Sequence, residues 1–222
     1  MQAEDFRVQP IDALLAAYVA GRLAPPVAAL VEAHLEMRPE SRRFVAALAA
    51  LGGLLLDTME PRPLTDRDRR LAAALAAAEQ GGIDPAPPAA ANGHRLLPPS
   101  LLRLIGRDPA ELAWHRVIPG LREAPILVSP GMQASLVRIS AGRRMPVHTH
   151  AGDEIVLVLD GGFRDINGHY RRGDIEIADD TFSHQPVADR DRDCIFFVVR
   201  DGPVKLTGPI GRFVQMFRRD EP

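Results

Sequence analysis

The chain of 222 residues has a single cysteine, Cys194, so no intrachain disulfide framework can form. That excludes the stapled scaffolds of small secreted domains and fits a reducing cytoplasm. No apolar run reaches the roughly 18–20 residues of a membrane span. Charge of one sign is not in excess either: 27 Lys and Arg stand against 29 Asp and Glu, a formal net charge of −2. Such balance argues against direct nucleic-acid binding by phosphate neutralisation. The opening stretch MQAEDFRVQP has acidic residues and no basic segment leading into an apolar core, so it does not read as a signal peptide. No internal repeat emerges at the scale of 20–50 residues. What is present is an ordinary globular composition, 46% hydrophobic and 25% charged, with room for one large domain or two small ones.

The composition changes near residue 81. Before it alanine and leucine dominate; after it Val, Ile, Phe, Gly and Pro rise. Asp12 can cap a first helix that stops at Gly21, and Pro25 and Pro26 suit the first turn of a second helix carrying Val27, Leu30, Val31 and Leu35 at helical spacing. A third helix follows Pro39, with Phe44, Ala47, Leu48, Leu51, Leu54 and Leu55 on one apolar stripe that reads as core, and Arg42 and Arg43 between them as candidates for a partner-facing surface. Thr65 with Asp68 resembles a capping box for a fourth helix. The stretch Gly81–Ser100 holds five prolines and three glycines and reads as a linker. Beyond it PILVS, ASLVRI, EIVLVLDG, DIEIA and CIFFVVR are strand-like, with Gly-Gly and Asn-Gly turns between some of them. The expected organisation is α+β and multidomain: an all-α domain over residues 1–80, a linker over 81–100 and an all-β domain over 101–222.

One stretch of the β half concentrates chemistry. In VHTHAGDE, His148 and His150 are two apart, so on a strand both imidazoles point to one face, and Glu154 has the same parity. His184 follows thirty residues later. Neutral imidazole nitrogens with one carboxylate oxygen are the donor mixture a first-row divalent ion takes. His94, His115 and His169 have no partnered spacing and read as structural or solvated, and Cys194 as a buried small hydrophobe.

The spacing Gly142-(5)-His148-(1)-His150-(3)-Glu154-(6)-Gly161 resembles the first cupin motif at every fixed position. Gly173 and His184 keep the spacing of the second motif, although Asp179 and Thr181 replace its proline and glycine and Ala188 its closing asparagine. The resemblance implies a cupin β-barrel with His148, His150, Glu154 and His184 as ligands to one divalent metal per chain, zinc first, with manganese, iron or nickel as other candidates.

A helical domain ahead of a cupin resembles the ChrR-type anti-sigma factors. The family's helical domain binds zinc through His-x3-Cys-x2-Cys and an upstream His. Here His34 is kept, the cysteine positions hold Arg38 and Ser41, and the upstream position falls near Gln9. With three of four ligands gone, no structural zinc is expected in the N-terminal domain, and His34 reads as a packed, hydrogen-bonded side chain. The resemblance implies a cytoplasmic transcription regulator, acting in a stress response, that holds an extracytoplasmic-function sigma factor through its helices. The cupin would be its response module and a candidate surface for a homodimer. A metal-dependent cupin enzyme such as a dioxygenase is the alternative, because site chemistry alone does not separate a sensor from an enzyme.

Overall fold

The structure, a computed structural model, describes residues 10–80, 96–107, 111–129, 131–181 and 183–207. The expectations about Gln9, His94 and most of the linker fall outside them. The fold is α+β: helices in the N-terminal region are followed by a β-rich barrel.

Helix α1 (Pro10–Val19) leads into α2 (Pro25–Met37), which starts on its two prolines and buries Val27, Leu30, Val31, His34 and Leu35. The fixed φ of proline and its missing N–H suit that first turn. Leu30, Val31 and Ala33 have no exposed surface at all. A short helix within the stretch read as linker and the start of the β half, α5 (Pro99–Ile105), buries Leu101 and Ile105 and ends on Gly106 in the left-handed conformation. Glu36 of α2 accepts from the Ser100 amide at 3.2 Å, supplying the anionic cap that this helix start lacks in its own sequence.

Six strands form the main sheet, in the order β1 (His115–Ile118), β2 (Leu121–Ser129), β3 (Met132–Ile139), β10 (Cys194–Arg200), β5 (Glu154–Asp160) and β8 (Ile175–Ala178). Every pair is antiparallel. A three-stranded sheet, β7 (His169–Arg171), β6 (Gly162–Arg164) and β9 (Val187–Ala188), faces it, and β4 (His148–His150) pairs with β11 (Val204–Leu206). The inner core joins Val137, Ile139, Val156, Val158, Phe196 and Val198 of the main sheet to Phe163 of β6. On the other face Leu136, Leu157, Leu159, Phe197 and Val199 pack in one cluster with Leu14, Leu30 and Val31 of α1 and α2 and with Leu101 of α5. Strands β5 and β10 are therefore buried on both faces, which is why EIVLVLD and CIFFVVR read as continuous apolar runs and not as alternation.

Two compact units emerge: Met1–Leu48 with Leu96–Pro222, and Ala49–Arg95. Helix α3 (Pro39–Asp57) crosses that boundary, and α4 (Arg67–Gln80) lies in the second unit. The stripe on α3, expected as core, is not core: the helix has no buried residue. Leu51, Leu54 and Leu55 are 53%, 66% and 61% exposed, and Leu71 and Leu75 of α4 are 48% and 58% exposed. Periodicity identifies an apolar face; it does not say whether the same chain covers it. Arg42, a candidate for a partner-facing surface, is exposed and also holds the preceding helix. Its guanidinium donates to the carbonyls of Leu35 (2.8 Å) and Glu36 (3.3 Å), closing the C-terminal end of α2.

Candidate metal centre

Strand β4 holds His148 and His150 on one face, both buried, with Thr149 between them. Glu154 opens β5, where it pairs with Ala178 of β8 and Arg200 of β10. His184 is brought in by a bridge to His148, amide to carbonyl in both directions at 3.1 and 2.9 Å. All four expected residues converge, with one ligand atom from each within 4.8 Å of the others. Nε2 of His184 lies 3.1 Å from Nε2 of His150 and 3.0 Å from Nε2 of His148. Oε1 of Glu154 is 3.5 Å from Nε2 of His150. Where the second cupin motif departs from its usual residues, the turn is kept by other means: Asp179 Oδ1 accepts from the Thr181 amide at 2.9 Å and from its hydroxyl at 2.5 Å.

The surroundings fix which nitrogens are free. Nδ1 of His148 donates to the Pro146 carbonyl at 2.8 Å, leaving its Nε2 lone pair toward the cluster. Nδ1 of His184 faces Asp165 Oδ2 at 3.1 Å and Glu176 Oε1 at 3.4 Å. Arg200 Nε donates to Glu154 Oε2 at 2.9 Å, and its Nη2 reaches Glu123 Oε1 at 3.2 Å. Burial, aided by the charges of His184 and Arg200 and only partly offset by the bond to the Pro146 carbonyl, lowers the pKa of His148 to about 4; burial and the adjacent histidines lower His150 to about 3. Burial also opposes charge on His184, yet the hydrogen bonds to Asp165 and Glu176 outweigh it and raise the pKa to about 9. Glu176 is raised to about 8, chiefly by burial, whereas Asp165 drops to about 2 because its hydrogen bonds overcome desolvation.

These groups fit a cation. Nε2 of His148 aims its lone pair at Nε2 of His184, and Nε2 of His150 converges on the same atom, so one N–H on His184 cannot serve both neighbours. A metal ion would accept from all three and from Glu154. Imidazole nitrogens about 2.0–2.1 Å from a common ion lie roughly 3 Å apart when they subtend near right angles, the spacing found here. A metal ligand histidine whose other nitrogen donates to a carboxylate or carbonyl is the usual supporting arrangement. Sequence reading missed that support: Asp165, Glu176 and Arg200 were not singled out. The available clue was Glu176, an acid within the apolar strand DIEIA.

Residues 103–205 match the ChrR cupin-like domain family. Over 208 residues, 94% of this chain and 96% of the relative, the sequence is 36% identical to the anti-sigma-E factor ChrR of Cereibacter sphaeroides. The chain belongs to the ChrR family of anti-sigma factors. A crystal structure of Rhodobacter sphaeroides SigE in complex with the anti-sigma ChrR aligns with 88% of this chain and 99% of that one, at a TM-score of 0.69 and 34% identity.

Within this ChrR-family chain the kept His34 and the positions Arg38 and Ser41, which replace the family's cysteines, have partners within the protein. Nδ1 of His34 donates to the Gly173 carbonyl and Nε2 accepts from the Ser41 hydroxyl, both at 2.7 Å. Arg38 donates to the Arg172 carbonyl at 2.9 Å and to the Asp174 carboxylate. Both ring nitrogens of His34 are therefore used within the protein. Among the histidines set aside, His169 pairs with Asp189 at 2.8 Å and His115 is exposed on β1. Cys194 is buried, and burial pushes its thiol up to about 12. No helix among the described residues is long and apolar enough to cross a membrane.

Proposed function

We propose that this chain is a cytoplasmic anti-sigma factor that holds an extracytoplasmic-function sigma factor through its helices, with the cupin as a metal-bound response module. The exposed leucines of α3 carry the reading. An apolar stripe over several turns that its own chain leaves in solvent is the mark of a surface made for a partner. The likeness to a ChrR chain seen in complex with SigE says what kind of partner. Residues 1–80 then form the binding module, 81–100 a connector and 101–222 the response module. Neither nucleic acid nor membrane is a direct partner, and the cupin remains a candidate homodimer surface.

In the cupin, His148, His150, Glu154 and His184 would hold one divalent ion, zinc in the first instance. The ion would supply a fixed positive charge that ties β4, β5 and the His184 segment together. The helical residues hold no structural zinc on this reading, since His34 spends both nitrogens on protein partners. A second reading, a metal-dependent cupin enzyme such as a dioxygenase, has one observation in its favour. A shallow cleft of about 410 Å³, lined by Asp165, Ile166, Ser183 and others, reaches His184. Co-expression with the extracytoplasmic-function sigma factors of the source organism tests the main reading. Co-purification in a stable complex is the expected result; a chain that purifies alone and consumes oxygen with a small organic substrate would replace it by the second.

A further inference from the structure

The contacts of His34 and Arg38 end next to the metal centre, on its far side. Gly173 and Asp174 form the turn between β7 and β8, and Glu176 is two residues further along β8. Glu176 and Asp165 are the carboxylates against Nδ1 of His184. One short edge strand therefore has a ligand-supporting acid in it and a helix anchored to its start. The turn is tied to β5 as well, by Gly173 N to Val158 O at 2.8 Å and Val158 N to Asp174 O at 3.1 Å. Gly173 sits at φ +88, and a Cβ there would come within 2.8 Å of Arg38 Nε and 3.3 Å of Met37 Cβ. The positive φ favours glycine there, and the side chains of α2 lie close against it.

On the helical side, His34 Nε2 takes the Ser41 hydroxyl and Arg42 closes the end of α2, so the start of α3 is geared to the same residues. We propose that this clasp of His34, Arg38, Gly173 and Asp174 transmits metal occupancy at His184 to the α2–α3 corner. The direction of effect follows from the contacts. A metal on Nε2 fixes the His184 ring, which fixes the Asp165 and Glu176 carboxylates, which hold β8 and its turn in the place that His34 and Arg38 grip. The inference rests on the cupin being a metal-bound response module. Its physical warrant is a run of adjoining contacts, from the His184–Glu176 ion pair at 3.4 Å along β8 to the hydrogen bonds of His34 and Arg38, and coupling must still be measured as a difference between metal states.

Hydrogen exchange on the full chain, chelated and with zinc added, tests it in wild type, Arg38→Gln, Asp174→Asn and the double variant. In wild type zinc should slow exchange at His148–Glu154 and also, by about five-fold or more, at the end of α2 and the first turn of α3. In all three variants protection at His148–Glu154 should remain while the α2–α3 response is lost to the same extent. Retention of the α2–α3 response in the variants overturns the route. Protection confined to His148–Glu154 in wild type overturns the coupling while leaving the metal centre in place. No zinc protection anywhere overturns the metal centre and the inference together.

Discussion

Replacing His34 by alanine should weaken the grip of α2 on the barrel by an amount that can be worked from its contacts. The ring is 3% exposed and makes two bonds of 2.7 Å, one to a backbone carbonyl and one to a hydroxyl. Ser41 is half-buried and can turn to water, so its loss is small. The Gly173 carbonyl is left without its side-chain donor inside a packed contact, at about 1–3 kcal/mol. With the space vacated by the ring the total should be about 2–4 kcal/mol, or roughly a 5–15 °C fall in Tm for a chain of this size. The pH dependence has a definite sign. Burial, ahead of its other contacts, lowers the pKa of His34 from 6.5, so the unfolded chain takes up its proton first. The His34 contribution is therefore full above 6.5 and declines as the pH falls through the lower, folded value. Thermal scans in chelator from neutral pH to pH 5 should show the variant destabilised at neutral pH and the gap narrowing in acid. A fall below about 0.5 kcal/mol at neutral pH, within the usual range for surface substitutions, would refute the argument that this side chain anchors the helix.

Three further outcomes follow from the barrel. His184→Ala should abolish most metal uptake measured by elemental analysis, whereas His169→Ala, bonded only to Asp189, should keep about one ion per chain; equal content in both would place the fourth ligand elsewhere. Asp165→Asn should weaken zinc affinity about 10–100-fold in chelator competition, because it removes the carboxylate that orients His184, and an unchanged affinity would deny it that role. Cys194, with its thiol pushed up to about 12, should resist a thiol reagent at pH 8 until the chain is unfolded, since only about one thiol in ten thousand is ionised there; rapid labelling of native protein would mean that the site is open.

Much of this was legible in the sequence because the relevant signals are local. Two histidines of one strand parity followed by a glutamate place three donors together almost by geometry alone. The α2 stripe of Val27, Leu30, Val31 and Leu35 became core as its spacing implied. The same argument failed on α3, where an equally regular stripe faces solvent, because a 3.6-residue period is blind to whether a helix covers its own chain or another. The continuous apolar runs of β5 and β10 did contain a sign of helices on the outer face, but short apolar runs of this kind also suit a sandwich. The contacts of Arg38 join positions far apart in the chain, and those of Asp165 and Glu176 with His184 cross a turn-rich stretch with no periodicity to announce them. Only the oddity of an acid in a buried strand pointed that way.

On the proposed function, the exposed leucines of α3 hold the sigma factor. Sigma-dependent transcription in vitro, with the full chain and with a Leu51→Asp, Leu54→Asp variant, tests it most directly. Both positions are more than half exposed, so the variant should keep the wild-type fold. Wild-type chain should inhibit the sigma factor with which it co-purifies, and the folded variant should lose inhibition by about 100-fold or more in concentration, as expected when anchors at the centre of an apolar interface are replaced by charge. Inhibition unchanged by the two charges would contradict it.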